Sequence, residues 1–327
     1  MRLRKIILPL FLIYACGSPD KQQPAQQPAP SPQPAVEIPA FNRDSAFSYV
    51  KDQVDFGPRV PNTKAHAACA AYLERQLRRF TPNVQVQEGT ATTWDGVTLR
   101  MKNIIASFAP EKNNRVLLFA HWDTRPWADE DTERTDEPID GADDGGSGVG
   151  VLLEIARQLS LHPPSVGVDI IFFDAEDWGK AGGGREAEDS YALGTQYWTR
   201  QPHVPGYTAS YGILLDMVGA RGAKFRQEGY SREAAGYIVD KVWSTANANG
   251  FSDYFPYQPG GWVTDDHVYV NRMGIPSIDI IGSDPTAVSG FGKHWHTHRD
   301  SIEIIDPATL HAVGQTLLAV LYGNPNP

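Results

Sequence analysis

Six short apolar runs, each rich in β-branched or aromatic residues, recur between residues 84 and 281 and read as strands. They are the Val84/Val86 segment, Ile104–Phe108, VLLFA at 116–120, VDIIFFD at 168–174, YGILLD at 211–216 and PSIDII at 276–281. Helical periodicities surround and separate them. The first helix starts at Asp44 or Ser45, with Phe47, Val50 and Val54 on one face, and the next carries Cys69, Leu73, Leu77 and Phe80. A third pattern runs through Gly148, Val151, Leu152, Ile155 and Leu159, a fourth covers 232–248, and the last covers 307–322, where Asp306 caps and Pro307 takes the first helical position. Strands alternating with helices imply an α/β fold, a mostly parallel central twisted sheet covered by helices on both faces.

The strand ends carry the chemistry. VLLFA runs into His121-Trp122-Asp123, the third helix is preceded by Gly141-Ala142-Asp143-Asp144, and VDIIFFD continues into Glu176-Asp177. YGILL ends in Asp216, and beyond PSIDII comes His294-Trp295-His296-Thr297. Open α/β sheets bind ligands at the carboxyl ends of their strands. Acids gathered there repel one another unless a cation or a proton offsets them. Two histidines, several carboxylates and no thiolate suit zinc, and three protein ligands with an open position would mark a catalytic site.

With 327 residues, 41% of them hydrophobic, the chain can bury the core of one large domain. Asp and Glu total 39 against 29 Lys and Arg, a net charge of -10, and no long basic stripe is present to neutralise phosphates, which argues against nucleic acid as a partner. Residues 1–15 place Arg2, Arg4 and Lys5 before a short apolar segment and read as a secretory signal, too short to span a bilayer. Ile13-Tyr14-Ala15-Cys16 resembles the lipobox of bacterial lipoproteins. On that reading Cys16 carries lipid, residues 16–40 form a Pro/Gln-rich tether, and residues 41–327 form a single catalytic domain. The expectation is an exported, periplasmic, membrane-anchored protein, most simply on the outer membrane, touching lipid only through Cys16 and otherwise a monomer. Cys69 is then the one remaining thiol, expected to pack in the core, and no intrachain disulfide can form.

Taken together and in order, HWD, GADDGGSGVGVLLEIAR, FFDAEDWG, LLDMVGA, TDDHVYVNRMGIP and HWHTHRD resemble the bacterial glutaminyl-peptide cyclotransferases, or glutaminyl cyclases, over about residues 42 to 322. These share a zinc-exopeptidase-like fold with the dizinc aminopeptidases. The resemblance implies that Asp144, Asp177 and His296 hold one zinc and that Glu176 is the general acid/base, with Asp216 and Asp265 as its hydrogen-bonding partners. It also implies that Trp295, and Trp178 after the Glu-Asp pair, contact the substrate, an N-terminal glutaminyl peptide. The two-metal relatives use the same constellation differently: Asp144 bridges, and His121 with Asp216 holds a second zinc, as for an aminopeptidase. A non-catalytic peptide-binding module is the remote third reading. Two departures stand out: Asp177 where animal cyclases have Glu, and Asp279 where they have His.

Other residues carry weaker expectations. Asp174 is expected to be structural, and Asp123 to orient His121. His267, His294 and His298 are expected in supporting roles. His66, His162, His203 and His311 are expected at the surface or as caps. The acidic loop 127–140 lacks calcium-loop spacing and is expected to be a solvated flap, while Trp262 either lines a pocket or packs.

Overall fold

The computed structural model describes residues 8–14 and 37–323. Cys16, most of the expected tether and part of the expected signal lie outside them. Among the described residues no helix is long and apolar enough to cross a membrane.

Six strands form one sheet in the order β1-β2-β4-β3-β5-β6: β1 Val84–Thr92, β2 Thr98–Phe108, β3 Arg115–His121, β4 Gly167–Phe173, β5 Tyr211–Asp216 and β6 Ser277–Ile281. The last four run parallel, as the strand–helix alternation requires, while β1 and β2 make an antiparallel hairpin whose second strand pairs antiparallel with β4. The chain leaves β3 for β4 on one side and then crosses to β5 on the other. This reversal puts the topological switch point at the carboxyl end of β3, where His121 sits.

Period-two alternation divides the buried strands between two cores. Val116, Leu118 and Ala120 of β3 join Ile170, Phe172, Ile213 and Leu215 beneath helices α1 (Arg43–Val54), α2 (Lys64–Arg78), α3 (Ser147–Leu161), α6 (Gly229–Ala248) and α8 (Pro307–Tyr322). Leu117 and Phe119 point the other way, with Ile171, Phe173 and Leu214, onto Trp198 of α5 (Leu193–Arg200) and Val270 of α7 (Asp266–Arg272). Burial on both faces explains why these strands read as unbroken apolar runs. Helix α8 begins where the sequence places it, with the Asp306 side chain accepting from Ala308 N–H and Pro307 in the first turn. Helix α1 starts one residue earlier than expected, because Asn42 caps it by accepting from the N–H groups of Asp44 and Ser45. Cys69 is fully buried, as expected of a core thiol.

The first turn of α3 lies against the end of β5. A Cβ on Gly148 would stand 2.3 Å from the Leu215 carbonyl oxygen and 2.9 Å from Ala120 Cβ, so only glycine permits the approach. Gly148→Ala is therefore expected to lower stability by about 1–3 kcal/mol through overpacking. Denaturant unfolding at unchanged m-value reads the loss, and a wild-type midpoint would contradict the tight contact.

Candidate active site

The ends of β4, β5 and β6 and the segment after β6 converge on one cavity of about 550 Å³, lined among others by Asp144, Glu176, Asp177, Asp265, Trp295 and His296. His121 closes β3, Asp216 closes β5, and Glu176-Asp177 follow β4 after one buried residue pair, Asp174-Ala175. Ala175 (φ 54°), Met217 (φ 48°) and His296 (φ 53°) all hold left-handed backbone, a conformation uncommon outside glycine that costs about 1–3 kcal/mol and clusters at functional sites. Each adjoins or is a site residue. At Ala175 the distortion follows β4 and precedes Glu176, which lines the cavity, and the turn is tied by Leu193 N–H to the Ala175 carbonyl and by Ala192 N–H to that of Glu176.

Two overlapping sets of ligand atoms come together: Asp144, Asp177 and His296, and His121, Asp144 and Asp216, each set lying within 4.8 Å of itself. His296 Nε2 stands 3.4 Å from Asp177 Oδ1 and 3.8 Å from Asp144 Oδ2. His121 Nε2 stands 3.1 Å from Asp144 Oδ1 and 3.2 Å from Asp216 Oδ1. Asp177 Oδ2 is buried with no hydrogen-bond partner. Two buried carboxylates converging on an imidazole, with an orphaned oxygen among them, fit a dication. Trp295 stacks on His296 with ring centroids 3.7 Å apart and lines the cavity, and Trp262, 64% exposed, lines its rim.

Burial is the chief cause that pushes the Glu176 carboxyl well above its ordinary range; the charge of His121 opposes it, while Asp265, Asp177 and Asp266 add to it. Burial likewise moves Asp216 up to about 6 and, with repulsion from Asp216, Asp265 up to about 7. The Glu176 carboxylate is not hydrogen-bonded to either of these acids. Asp216 turns to His121 instead, and Asp265 caps α7 by accepting from Asp266 N–H; of the two, Asp265 acts on Glu176 through charge.

Several other expectations are revised. Trp178 is placed outside the cavity, its indole N–H donating to Asp95 Oδ1 and its ring edge-on to Trp127. Asp123 lies 3.6 Å from His121 Nδ1, beyond hydrogen-bond reach; its two oxygens accept from the N–H groups of Glu176 and Asp177. His66, expected at the surface or as a cap, is 3% exposed, stacks on Trp122 at 4.4 Å and meets both oxygens of Asp174 at 2.9 Å. The structural place expected for Asp174 is what the structure shows. His267, His294 and His298 each face a carboxylate, of Glu228, Asp143 and Asp131 respectively. Asp279 is fully buried beside Asp265 and His267, and neither of its oxygens has a partner.

The acidic loop is anchored at its start, while residues 132–138 are exposed, as expected of a solvated flap. Glu130 N–H donates to the His296 carbonyl, and Asp129 Oδ1 stands 3.3 Å from His296 Nδ1. Asp129 also takes Arg125 through both oxygens, at 2.7 and 2.6 Å, while buried Arg125 donates to the Asp177 carbonyl and Oδ1, both at 3.2 Å. Burial opposes ionisation of Asp129, yet Arg125 and His296 hold its carboxyl below the ordinary range. Arg125 and Asp129 thus join two of the three residues of one ligand set. Arg59, fully buried, bridges the carbonyls of Trp122, Asp140 and Gly141 and fixes the loops bearing His121 and Asp144.

A mostly parallel sheet whose strand ends gather acids and imidazoles around a cavity defines a metal-dependent α/β enzyme. The chain belongs to peptidase family M28, which it matches over residues 103–321. Among solved structures it resembles a zinc-dependent exopeptidase from Parabacteroides distasonis, with 54% identity, a TM-score of 0.86, and coverage of 88% of this chain and 100% of that one. It also resembles the glutaminyl cyclase of Tannerella forsythia, at 52% identity, TM-score 0.85 and the same coverage. A more distant relative is the glutaminyl-peptide cyclotransferase-like protein of Bos taurus, 24% identical over 285 residues, which are 80% of this chain and 71% of that one.

The Arg125–Asp129 network predicts a measurable effect. Asp129→Ala is expected to weaken zinc binding about 10- to 100-fold, as losses behind a ligand histidine do. Competition with a chromophoric chelator reads it, with circular dichroism confirming the fold. An unchanged affinity would remove Asp129 from the support of His296.

Proposed function

We propose that the protein is a zinc-dependent glutaminyl cyclase that converts N-terminal glutaminyl residues of peptides and proteins to pyroglutamate with release of ammonia. The observation that carries this reading is identity of about half the residues to a solved glutaminyl cyclase over 88% of the chain. The site supports it: a carboxyl with raised proton affinity, Glu176, shares one cavity with the Asp144, Asp177 and His296 set.

The reaction needs no nucleophilic side chain, because the attacking α-amine and the γ-carbonyl carbon belong to one residue. A new C–N bond closes the ring, the bond to the amide nitrogen breaks, and one proton must travel from the attacking nitrogen to the departing one. Glu176, 8% exposed and lining the cavity, is the carboxylate placed to carry it. Asp144, Asp177 and His296 would hold one zinc, which when bound supplies polarisation of the γ-carbonyl and stabilises the charge developing on its oxygen. Acids around the cavity suit an N-terminal amine, and Trp295 gives the glutamine side chain an apolar wall. Asp265 biases Glu176 by charge, and Asp216 shares the cavity. Outside the cavity, Cys16 anchors an exported monomer to a membrane by lipid, on the strength of the signal and lipobox-like sequence.

A second reading, a two-metal aminopeptidase, has a specific observation in its favour: the His121, Asp144 and Asp216 set, sharing Asp144 with the first. The two separate cleanly by product. With one zinc per chain, a Gln-initiated peptide should lose the mass of ammonia, and a Leu-initiated peptide should survive. Two metals per chain with release of free leucine would overturn the cyclase reading. Glu176→Gln is expected to keep its zinc and lose about 10²- to 10⁴-fold in kcat, the range of general acid–base catalysis, whereas Asp177→Ala should lose the metal itself. A Glu176→Gln protein that turns over normally would disqualify Glu176 as the proton carrier.

A further inference from the structure

Beside the acid-lined cavity lies a second one of about 430 Å³, and Met217, Arg226, Ser283 and Pro285 line both. Its charge is of the opposite sign. Arg221, Lys224, Arg226 and Lys293 face it in a chain whose net charge is -10. Of its two acids, Asp143 is occupied by the N–H groups of Gly219 and Ala220 and by His294 Nε2 at 3.0 Å. Asp284 accepts from the Thr286 N–H and hydroxyl and faces Lys293 and Arg226, offsetting part of their charge and leaving a cationic excess.

These cations are only partly satisfied within the chain. Lys224 donates to the Asp253 carbonyl, Arg221 Nε is 3.9 Å from Asp306, and Lys293 has no ion pair within 4.0 Å among the described residues. Arg226 stands where the two cavities meet. Its Nε donates to Gln258 Oε1 at 3.1 Å, while its Nη1 is buried with no partner. A buried guanidinium donor left open at the junction calls for an acceptor from outside, and the planar fork of arginine suits a carboxylate.

We propose that this second cavity receives the residues just downstream of the substrate's N-terminal glutamine and selects peptides that carry a carboxylate there. The inference rests on the reading that the first cavity seats the glutaminyl residue. The two cavities then match a peptide of defined polarity, an N-terminal amine among acids followed by a carboxylate among bases. Charge complementarity of this kind sets specificity and association rate. An acidic side chain and the free C-terminus of a very short peptide offer the same chemistry, and the test distinguishes them.

Consumption of five peptides is followed by mass at low and high salt: Gln-Ala-Glu-Ala-amide, Gln-Ala-Ala-Ala-amide, Gln-Ala-Lys-Ala-amide, and Gln-Ala with a free carboxyl against its amide. The expected order of kcat/KM is Glu above Ala above Lys, each step about three- to tenfold, carried by KM and shrinking in high salt. A gain for the free dipeptide acid alone would assign the cavity to a C-terminal carboxylate instead of a side chain. Arg226→Gln should bring the Glu peptide down to the Ala peptide, and Arg226→Lys should restore part of the difference, which a merely structural arginine would not do. Equal kcat/KM for the three tetrapeptide amides would overturn the proposal. Counting any consumed peptide, whether ammonia or free glutamine is released, keeps this outcome separate from failure of the cyclase reading.

Discussion

Everything in this molecule depends on holding several carboxylates close together and away from water at one edge of the sheet. Asp144, Asp177, Asp216, Asp265 and Glu176 are each less than a tenth exposed. Unpaired buried charge of that density is strongly unfavourable. Burial and mutual repulsion accordingly drive Glu176, Asp216 and Asp265 toward their protonated forms. A dication inverts that balance. The fold is thus matched to a cation, and Glu176 beside it keeps a carboxyl of raised proton affinity, the kind of group a proton-transfer reaction uses.

A second tier of acids holds the first in place. Asp123 accepts from the N–H groups of Glu176 and Asp177, Asp300 from those of Asp143 and Asp144, Asp143 from Gly219 and Ala220, and Asp174 from Lys102 and Ala175. Asp123, Asp143 and Asp300 satisfy donors of loops, and Asp174 satisfies Lys102 of β2 just beyond its pairing with β4, backbone groups that the sheet does not pair there. Loops are ordinarily the mobile part of an α/β protein. Here each site loop is pinned by a buried carboxyl group that accepts from its backbone N–H groups. Arg59 and Arg125 do the converse work on carbonyl oxygens, tying loop to loop from beneath the cavity.

That double use of aspartate explains which parts of the site were legible in the sequence. Strand ends were readable because buried parallel strands are unbroken apolar runs, and their polar termini stand out. The same alphabet serves both tiers, however: in Asp143-Asp144 one acid grips backbone and its neighbour faces the cavity, and only the fold separates them. His66 and Asp129 escaped for a different reason, since their partners Asp174 and His296 are remote in the chain and the contacts exist only after folding. Among the helices, α8 was legible to the residue through its Asp-Pro start. Helix α5 was missed: it follows Ala192 in a left-handed conformation with no side-chain cap, and at eight residues it carries too few turns to show a period. The antiparallel β1–β2 hairpin was hidden by reading Ile104–Phe108 as the whole of β2, because in Thr98–Asn103 the buried residues alternate with exposed Thr98 and Arg100 and half-buried Lys102 and form no apolar run.

The choice between cyclase and peptidase reduces to one ring nitrogen. His121 Nε2 is nearly equidistant from Asp144 Oδ1 and Asp216 Oδ1. In a one-metal chain that nitrogen carries a hydrogen, which it shares between the two carboxylates, and the imidazole acts as the strut that keeps them from repelling each other apart. In a two-metal chain the same nitrogen must present a lone pair, so the imidazole gives up that hydrogen and keeps the one on Nδ1, and a metal-bound imidazole then needs an acceptor on that side. The one carboxylate positioned there is Asp123, 3.6 Å away and already accepting from Glu176 and Asp177. Recruiting it would draw on the same oxygens that set the loop bearing the proton carrier and a ligand. A second metal at His121 would therefore be coupled to the geometry of the first site and of Glu176, whereas a single metal leaves that loop undisturbed.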